Sequence, residues 1–560
     1  MNKNLFNSVK VATPSKNFFD LSHDVKMSFK MGALVPVCCM DLVPGDNFSI
    51  SYESMLRFTP LIAPVMHRVK VTQHYFFVPN RILWPNWEKF ITQESDIEAP
   101  FITPILGLSG GETVYTIAKG SIGDYMGLPV FETPQLDQVY TPEINALPFA
   151  AYHRIIAEYY LDQNLQSLQV ESYMQASTLL DGNNNLNYID TGSGPIEFNA
   201  KCFATVGGSG LDYRAWQHDY FTAALPFAQK GSEVLLPLGD FTDVPLEWTG
   251  NPIPFIAGDI VRNTDGSVYM PATSDPLRAA VSTGRLFAAG DSQTKYLDNS
   301  QAMVAKTSDL EAGVSTINTL RRAFKLQEWL ERNARGGTRY FESMLSHFGV
   351  KSPDARLQRP EYIGGSVQMM TISEVLSTAQ TIDSEGTLLN PVGQMSGHGI
   401  SVAGSKLLKY YAQEHGWIIG LISVLPDTAY QQGLHKKFSR PDVFDYYWPS
   451  FAHIGEQEVH NKEVYLDTSD TLNDVTFGYV PRYAEYKFEN NRVAGEFRDT
   501  LNFWHMGRIF ETRPNLSADF IKSNPTTRIF AVEEGDHIYS HILLKVKAVR
   551  MMPKFGTPSF

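Results

Sequence analysis

The segment from Val65 to Val78, VMHRVKVTQHYFFV, constrains the fold more than any other part of the chain. Residues of alternating character follow one another along it: Val65, His67, Val69, Val71, Gln73, Tyr75 and Phe77 share one face of an extended chain, and Arg68, Lys70, Thr72 and His74 share the other. A helix would scatter the apolar positions around its circumference, whereas β-branched and aromatic side chains suit a pleated sheet. Pro64 and Pro79 punctuate the two ends. The segment therefore predicts a long, half-buried β-strand.

Other strands are predicted on both sides of a long middle region. Upstream, Val25, Met27 and Phe29 alternate with polar residues, residues 34–39 continue the pattern, and Pro44-Gly45-Asp46 is a turn before the alternating residues 48–52. Downstream strands are predicted at 366–372, 409–413, 417–425 and 542–548, and the almost wholly apolar 417–425 is typical of a central buried strand. No helical pattern separates the first strands, which indicates an antiparallel sheet.

Composition excludes several classes of protein. The 560 residues are 43% hydrophobic, 12% aromatic and only 19% charged, which indicates a folded chain whose surface is largely covered by neighbours. A net charge of -13 argues against a simple basic nucleic-acid binder. Three cysteines without a CxxC pair indicate a reducing compartment and no zinc site. No apolar run approaches the roughly 18 residues that cross a bilayer, so no membrane insertion is expected.

Charge is distributed unevenly along the chain. Residues 1–30 hold five lysines and two aspartates, a net charge of +3, so residues 1–23 are predicted to be a basic N-terminal arm. Such an arm can equally be a frayed, solvated terminus or touch a partner or nucleic acid. Residues 240–315 hold ten acidic and five basic residues, a net charge of -5, and little periodicity. An exposed acidic insertion is expected there.

Two helices are predicted within the middle region. Residues 150–161 form a short amphipathic helix, and residues 316–334 carry an apolar stripe of Leu320, Ala323, Phe324, Leu330 and Ala334 that Gly336-Gly337 ends. Residues 317–359 hold nine basic and four acidic residues, a net charge of +5. Either this block is a basic patch or its charges pair along the exposed helix face, as Glu328 and Arg332 can at spacing i,i+4.

Motifs for catalysis are absent from the sequence. It contains no GxxxxGK[ST], GxSxG or HExxH pattern. The run Asp181-Gly-Asn-Asn-Asn has Leu186 where a calcium loop requires glycine, and Gly207-Gly-Ser-Gly210 opens no nucleotide-binding unit, so both are interpreted as loops. Five histidines in the last third lack metal-ligand spacing, which favours packing roles: His398, His415, His435, His453 and His460. No enzyme activity, cofactor or metal is expected.

Several long blocks resemble the major capsid protein of microviruses, especially the gokushovirus-like branch. They are residues 18–37, 44–71, 74–92, the HDYFT...LP...QKG block at 217–231, GLHKKFSR at 433–440 and the run 479–488. The most specific is RNARGGTRYFESMLSHFGVKSPDARLQRPEYIGG at 332–365, with its GGTRY, HFGV and SPDARLQRPEY elements in the order of that family. The departures from the family lie mainly at 100–210 and 240–315.

The resemblance implies an all-β core, an eight-stranded antiparallel jelly roll of the viral capsid type with very long, partly helical loop insertions. Residues 24–560 would be a single jelly-roll domain with insertions at about 100–360, including the acidic projection at 240–315, and at about 430–535. The chain would be a major capsid protein of a bacteriophage of the Microviridae. It would self-assemble in the bacterial host cytoplasm into a T=1 icosahedral virion of about sixty copies.

Partners also follow from the resemblance. They are other copies of the chain, a circular single-stranded DNA genome, a small basic DNA-packaging protein, a pilot protein and a host surface receptor. The acidic projection would contact either the host or neighbouring subunits. Residues expected to face the genome are Lys3, Lys10, Lys16, Arg321, Arg322, Lys325, Lys545, Lys547, Arg550 and Lys554. The alternative from another class is a jelly-roll carbohydrate-binding protein or glycosidase, because exposed aromatic residues and carboxylates are numerous.

Overall fold

The computed structural model describes residues 15–94, 112–135, 143–162, 211–232, 317–379 and 392–555, with short segments between them. Contacts divide the chain into two compact units, residues 1–230 with 331–560, and residues 231–330. In the described residues the structure is mostly antiparallel β-sheet with few helices. The runs at 181–186 and 207–210, both interpreted as loops, lie outside the described residues.

The main strands of the first unit lie before residue 80 and after residue 360. The early strands are β1 (Asn17–Asp20), β2 (His23–Phe29), β3 (Val35–Leu42), β4 (Asn47–Phe58) and β5 (Val69–Pro79). The late strands are β6 (Glu361–Met369), β7 (Thr371–Leu376), β8 (Met395–Gly404), β9 (Leu408–Tyr411), β10 (Gly416–Pro426), β11 (Glu456–His460), β12 (Thr476–Pro481) and β13 (Ile538–Arg550). A short pair occurs at Thr381–Ile382 and Leu388–Asn390.

Helices and short strands lie mainly between these two groups. The longer helices are α1 (Leu147–Tyr159), α2 (Ile317–Gly336) and α3 (Tyr340–Phe348), and single turns occur at Asn80–Leu83, Trp87–Ile91, Ile122–Tyr125, Asn461–Val464 and Ala518–Ile521. Short strands of the first unit are Phe101–Ile102, Ile105–Ser109, Glu112–Ile117, Phe131–Gln135, Ile144–Asn145, Tyr188–Asp190 and Pro195–Glu197. Those of the second unit are Leu246–Trp248, Val261–Asn263, Val268–Tyr269, Leu277–Ala279, Leu286–Ala288, Lys295–Leu297 and Met303–Ala305.

Two antiparallel sheets form the centre of the first unit. One contains the order β2, β13, β4 and β8, with β1, β7 and β9 added at its margins, and the other has the order β6, β5, β10 and β3. Both sheets pair early with late segments: His23 of β2 lies opposite Leu544 of β13, and Trp417 of β10 lies opposite Val78 of β5. The last strand thus pairs with the first two strands in one sheet.

The core lies where the two sheets face each other. The rings of Tyr52 on β4 and Tyr75 on β5 stack with centroids 5.7 Å apart, and the Tyr52 hydroxyl hydrogen-bonds Ser366 on β6. Strand β10 is buried along nearly its whole length and paired on both edges, which confirms the central buried strand predicted at 417–425. Burying each large aliphatic side chain of such a strand contributes roughly 1.5–3 kcal/mol.

The predicted strand at 65–78 is correct in its alternation but begins later, at Val69. Residues before it bond elsewhere, since the Met66 amide donates to Trp504 O at 2.8 Å. The second face is also more buried than alternation predicts, because α1 covers it. The rings of Phe76 and Tyr159 are 4.7 Å apart, and His74 Nδ1 lies 2.7 Å from the Tyr160 hydroxyl.

The two predicted helices are both present. Helix α1 spans Leu147–Tyr159 and is buried on most sides. Helix α2 spans Ile317–Gly336, and Gly337 at φ +99° ends it as predicted. Its apolar stripe is not buried in the described structure: Leu320 and Phe324 are exposed, and Ala334 is the buried residue of the helix. No helix in the described part of the chain is long and apolar enough to cross a membrane.

Candidate functional surfaces

Strand β13 separates the predicted genome-facing lysines from the core. Leu544, Val546 and Ala548 are fully buried, while Lys545 and Lys547 are exposed on the opposite face of the same strand. This arrangement follows from the period of two along an extended chain, which places alternate side chains on opposite faces of a sheet. The predicted basic side of the last strand is therefore present.

Acidic side chains accompany these lysines on the sheet surface. Lys545 forms an ion pair with Glu53 on β4. Lys547 lies opposite Asp20 of β1 in the sheet register. Hydrogen bonds from the side chain and backbone of Ser22 lower the pKa of Asp20, and the charge of Lys547 lowers it further. The surface thus carries mixed charge, with the ammonium groups exposed.

Two more predicted lysines lie at the same margin of the sheet. Lys16 is exposed and immediately precedes β1, whose Asn17 pairs with Arg550. The Asn17 side chain also donates to Met552 O at 2.7 Å, and Lys554 is exposed two residues farther on. Residues from the two termini therefore meet at one sheet edge. Lys3 and Lys10 lie outside the described residues.

Arg550 does not occupy the solvated site predicted for it. Its Nε lies 3.2 Å from Oδ2 of the fully buried Asp46, Nη2 donates to Asp41 O at 2.6 Å, and its guanidinium lies 5.2 Å from the Phe48 ring centroid. Burial raises the pKa of Asp46, and the neighbouring guanidinium acts in the opposite direction. Arg550 therefore neutralises a buried carboxylate, and its predicted contact with the genome stays a prediction.

The predicted basic helix residues belong to the second unit. Arg321, Arg322 and Lys325 are all exposed on α2, and Lys325 pairs with Glu328 at 2.5 Å, one turn away. This i,i+3 pairing is the alternative in which charges pair along the helix itself.

Three other arginines of the basic block at 317–359 hold the first unit together. Arg339 donates to the carbonyls of Ala157 and Leu161, at the carboxyl end of α1, where cations are favourable. Arg359 is 5% exposed and lies between two rings, 4.3 Å from the centroid of Tyr159 and 3.9 Å from that of Phe341. Arg335 pairs with Glu456 on β11. Counting charges along the sequence could not reveal these partners, which come from distant segments.

Two of the histidines for which packing roles are predicted, His415 and His435, contact other residues of the protein. The His415 ring contacts Trp87 with centroids 5.7 Å apart, and His435 Nδ1 accepts from the Lys437 amide at 3.1 Å. Burial lowers the pKa of His435. Among the described residues, no three His, Cys, Asp or Glu side chains form a group that could hold a metal ion.

A cluster of exposed rings is the most distinctive surface feature of residues 430–535. We define the aromatic surface as Phe444, Tyr446, Tyr447, Trp448 and Tyr486. Each of these side chains is between 48% and 54% exposed. The Tyr447 ring lies 5.0 Å from Tyr483 and 6.3 Å from Tyr486, and the Arg440 guanidinium lies over both Tyr446 and Tyr486, so these three exposed rings are neighbours. The sequence signals aromatic clusters here, but not that they remain exposed.

Comparison with known proteins gives one consistent result. The family described as Capsid protein (F protein) matches residues 7–560. Capsid protein VP1 of Chlamydia phage 1 is 34% identical, over 99% of this chain and 97% of the relative. Capsid protein VP1 of Bdellovibrio phage phiMH2K is 32% identical, over 100% and 98%. Capsid protein VP1 of Spiroplasma virus 4 is 29% identical, over 96% and 94%.

Proposed function

The chain belongs to the phage capsid protein (F protein) family and is a major capsid protein, and on that premise we propose that its copies close into a T=1 icosahedral shell around circular single-stranded DNA. The match over nearly the whole chain carries this proposal, because it spans the sheets and the insertions alike. The resemblance to microvirus capsid proteins is confirmed, and so is the prediction that the chain is not an enzyme, since its relatives are structural proteins.

We infer that the core is an eight-stranded jelly roll. In that fold, early and late strands lie side by side in two packed sheets. The order β6-β5-β10-β3 of the four-stranded sheet and the order β2-β13-β4-β8 within the seven-stranded sheet fit this arrangement. A rigid body of two packed sheets suits a shell. Its long insertions can differ in the surfaces that they present to other molecules without changing the core.

The genome contact is proposed for the exposed lysines at the sheet margin, namely Lys16, Lys545, Lys547 and Lys554. Flexible single-stranded DNA inside a shell requires phosphate neutralisation and no base readout. Exposed ammonium groups gathered from both termini support this role. Arg321, Arg322 and Lys325 on α2, and Lys3 and Lys10 on the arm, remain secondary candidates. A small basic packaging protein would share the neutralisation.

The remaining proposals concern the virion. We place the chain in the virion capsid after assembly in the bacterial host cytoplasm, with a pilot protein as a further virion component. Residues 240–315 are proposed to contact the host receptor, because their net charge of -5 disfavours packaged DNA. The domain assignment, with residues 24–560 as one jelly-roll domain carrying insertions, is also retained as a proposal.

One experiment tests shell formation and genome enclosure together. The chain is produced with the other virion proteins, and particles are purified, imaged by electron microscopy and treated with nuclease. Uniform closed particles that protect circular single-stranded DNA are expected. Chains that stay monomeric under these conditions contradict the proposed shell, and closed particles without protected DNA contradict the proposed genome contact alone.

A further inference from the structure

The aromatic surface exposes a large apolar area. Aromatic side chains bury about 150–250 Å² each when covered, so five half-exposed rings leave on the order of 500 Å² open. That is as large as the largest apolar patch on an ordinary monomer, about 300–600 Å². Val443, which is more than half exposed and accepts a hydrogen bond from Trp448 Nε1, adds to it. A patch of this size indicates a surface that another molecule covers.

Hydrogen bonds hold the segment that carries these rings in place before any partner binds. Trp448 Nε1 donates to Val443 O at 3.0 Å, and Arg482 Nη2 donates to Phe444 O at 3.0 Å. Beneath them, the buried Tyr483 has a left-handed backbone with φ +60°, which is unfavourable for a bulky residue. Such strain persists where surrounding structure imposes it. The surface is therefore preorganised, which lowers the entropic cost of binding.

Cations near the rings already have partners, which disfavours DNA as the occupant. Arg440 lies 3.7 Å from a Glu485 oxygen, and Lys437 lies 2.5 Å from a Glu489 oxygen. Lys487 Nζ donates to Arg482 O at 3.0 Å. A surface that binds single-stranded DNA requires cations available for phosphates in addition to stacking rings. Rings accompanied by arginine and neutralised locally are instead the composition of protein interfaces.

We propose that the aromatic surface is a contact between neighbouring copies of this chain in the shell, which rests on the proposed self-assembly. The open area of about 500 Å² is more than half of the roughly 800 Å² that one partner contributes to a standard interface. Each copy of a shell subunit must cover such surfaces on its neighbours. Within this surface, Tyr446 is the anchor to test, because its ring is 52% exposed and its one described ring contact is with Arg440, 5.5 Å away.

The test compares the particle yields of the wild type and three variants, measured by sedimentation and electron microscopy. Tyr446→Asp is expected to lower particle yield at least tenfold, because it places a carboxylate in a desolvated interface. Its released chain should keep the circular dichroism spectrum and thermal midpoint of unassembled wild type. Tyr446→Phe keeps the ring and should assemble normally. Tyr539→Asp is the matched control, since Tyr539 is also 52% exposed but lies on β13.

Outcomes separate this inference from the proposed function. If wild type forms no particles, the proposed self-assembly fails. If wild type and Tyr446→Asp form particles equally well, the interface assignment is overturned while self-assembly stands. Equal loss in Tyr539→Asp also overturns it, because any half-exposed ring would then have the same effect. Normal particles of Tyr446→Asp that lack DNA, or that no longer adsorb to host cells or glycans, would assign the surface to those partners instead.

Discussion

Lys547 and Arg550 lie three positions apart on β13, yet the structure gives them different tasks. Arg550 neutralises Asp46, which is fully buried, whereas Lys547 is exposed. Replacing Arg550 by Gln should lower the free energy of unfolding by about 3 kcal/mol, because an uncompensated buried carboxylate remains. Lys547→Gln should change it by no more than about 0.5 kcal/mol. Urea denaturation of the unassembled chains measures both values, and equal effects would contradict the assignment.

His74 should make stability dependent on pH. Burial, together with the nearby charge of Arg214, lowers the pKa of His74 to about 4. Between about pH 6.5 and 4 the unfolded chain binds a proton that the folded chain does not, so this contribution to stability decreases as pH falls. The full loss is on the order of 3 kcal/mol. His74→Gln should therefore show a smaller decrease in unfolding free energy over this range than wild type, and identical pH profiles would contradict the prediction.

For a single residue, the sequence predicts which face of a sheet the side chain occupies better than it predicts which residue the side chain contacts. Alternation places Lys545 and Lys547 opposite Leu544 and Val546, because the period of two depends on local geometry alone. The same pattern does not identify Arg550 as the partner of a buried carboxylate, since Asp46 follows a turn near the other end of the chain. Electrostatic partners depend on tertiary contacts that local patterns do not encode.

Strand β10 is closely packed against its neighbouring strands at Gly420. A Cβ added to Gly420 would lie 2.7 Å from the Tyr75 ring and 2.9 Å from Cys38 Cβ, both on neighbouring strands. Gly420→Ala should lower the free energy of unfolding by about 1–3 kcal/mol through overpacking. Gly404→Ala on β8 is the control, because its Cβ would find ordinary contact at 3.6 Å. Thermal unfolding measures both, and unchanged midpoints for both would contradict tight packing at Gly420.

Strands and helices are predicted well where the burial of one apolar face determines their structure. The strands at β2, β4, β5, β10 and β13 follow from alternation or from an apolar run. Helix α2 follows from its periodicity and from Gly337, but its exposed Leu320 and Phe324 do not. An amphipathic pattern indicates that a helix face needs covering and cannot identify what covers it. The same limit applies to the aromatic surface.

The acidic insertion gives a prediction for the whole molecule. Residues 231–330 form a separate compact unit, and residues 240–315 carry a net charge of -5. Deleting 240–315 should leave particle formation largely intact and reduce adsorption to host cells. A second variant with the ten acidic residues changed to amides separates charge from shape, because only an electrostatic contact would be lost in it. Adsorption that is unchanged in the deletion variant would contradict a role in attachment.

The proposed genome contact predicts how the DNA content of particles depends on salt. Each cation that neutralises a phosphate of single-stranded DNA contributes a slope of about 0.7 to the dependence of log affinity on log salt. Changing Lys16, Lys545, Lys547 and Lys554 to Gln should therefore lower the ratio of DNA to protein in purified particles and weaken its dependence on salt. Arg550 is left in place because Asp46 requires it.

A matched control changes four other exposed lysines of the same unit, Lys89, Lys119, Lys351 and Lys406, to Gln. It alters net charge by the same amount and should leave the DNA content and its salt dependence at wild-type values. Thermal midpoints of both quadruple variants should match wild type, since none of these side chains is buried. If the first variant packages as much DNA as the control across the salt series, the phosphates are neutralised elsewhere, by the N-terminal arm or by a separate basic protein.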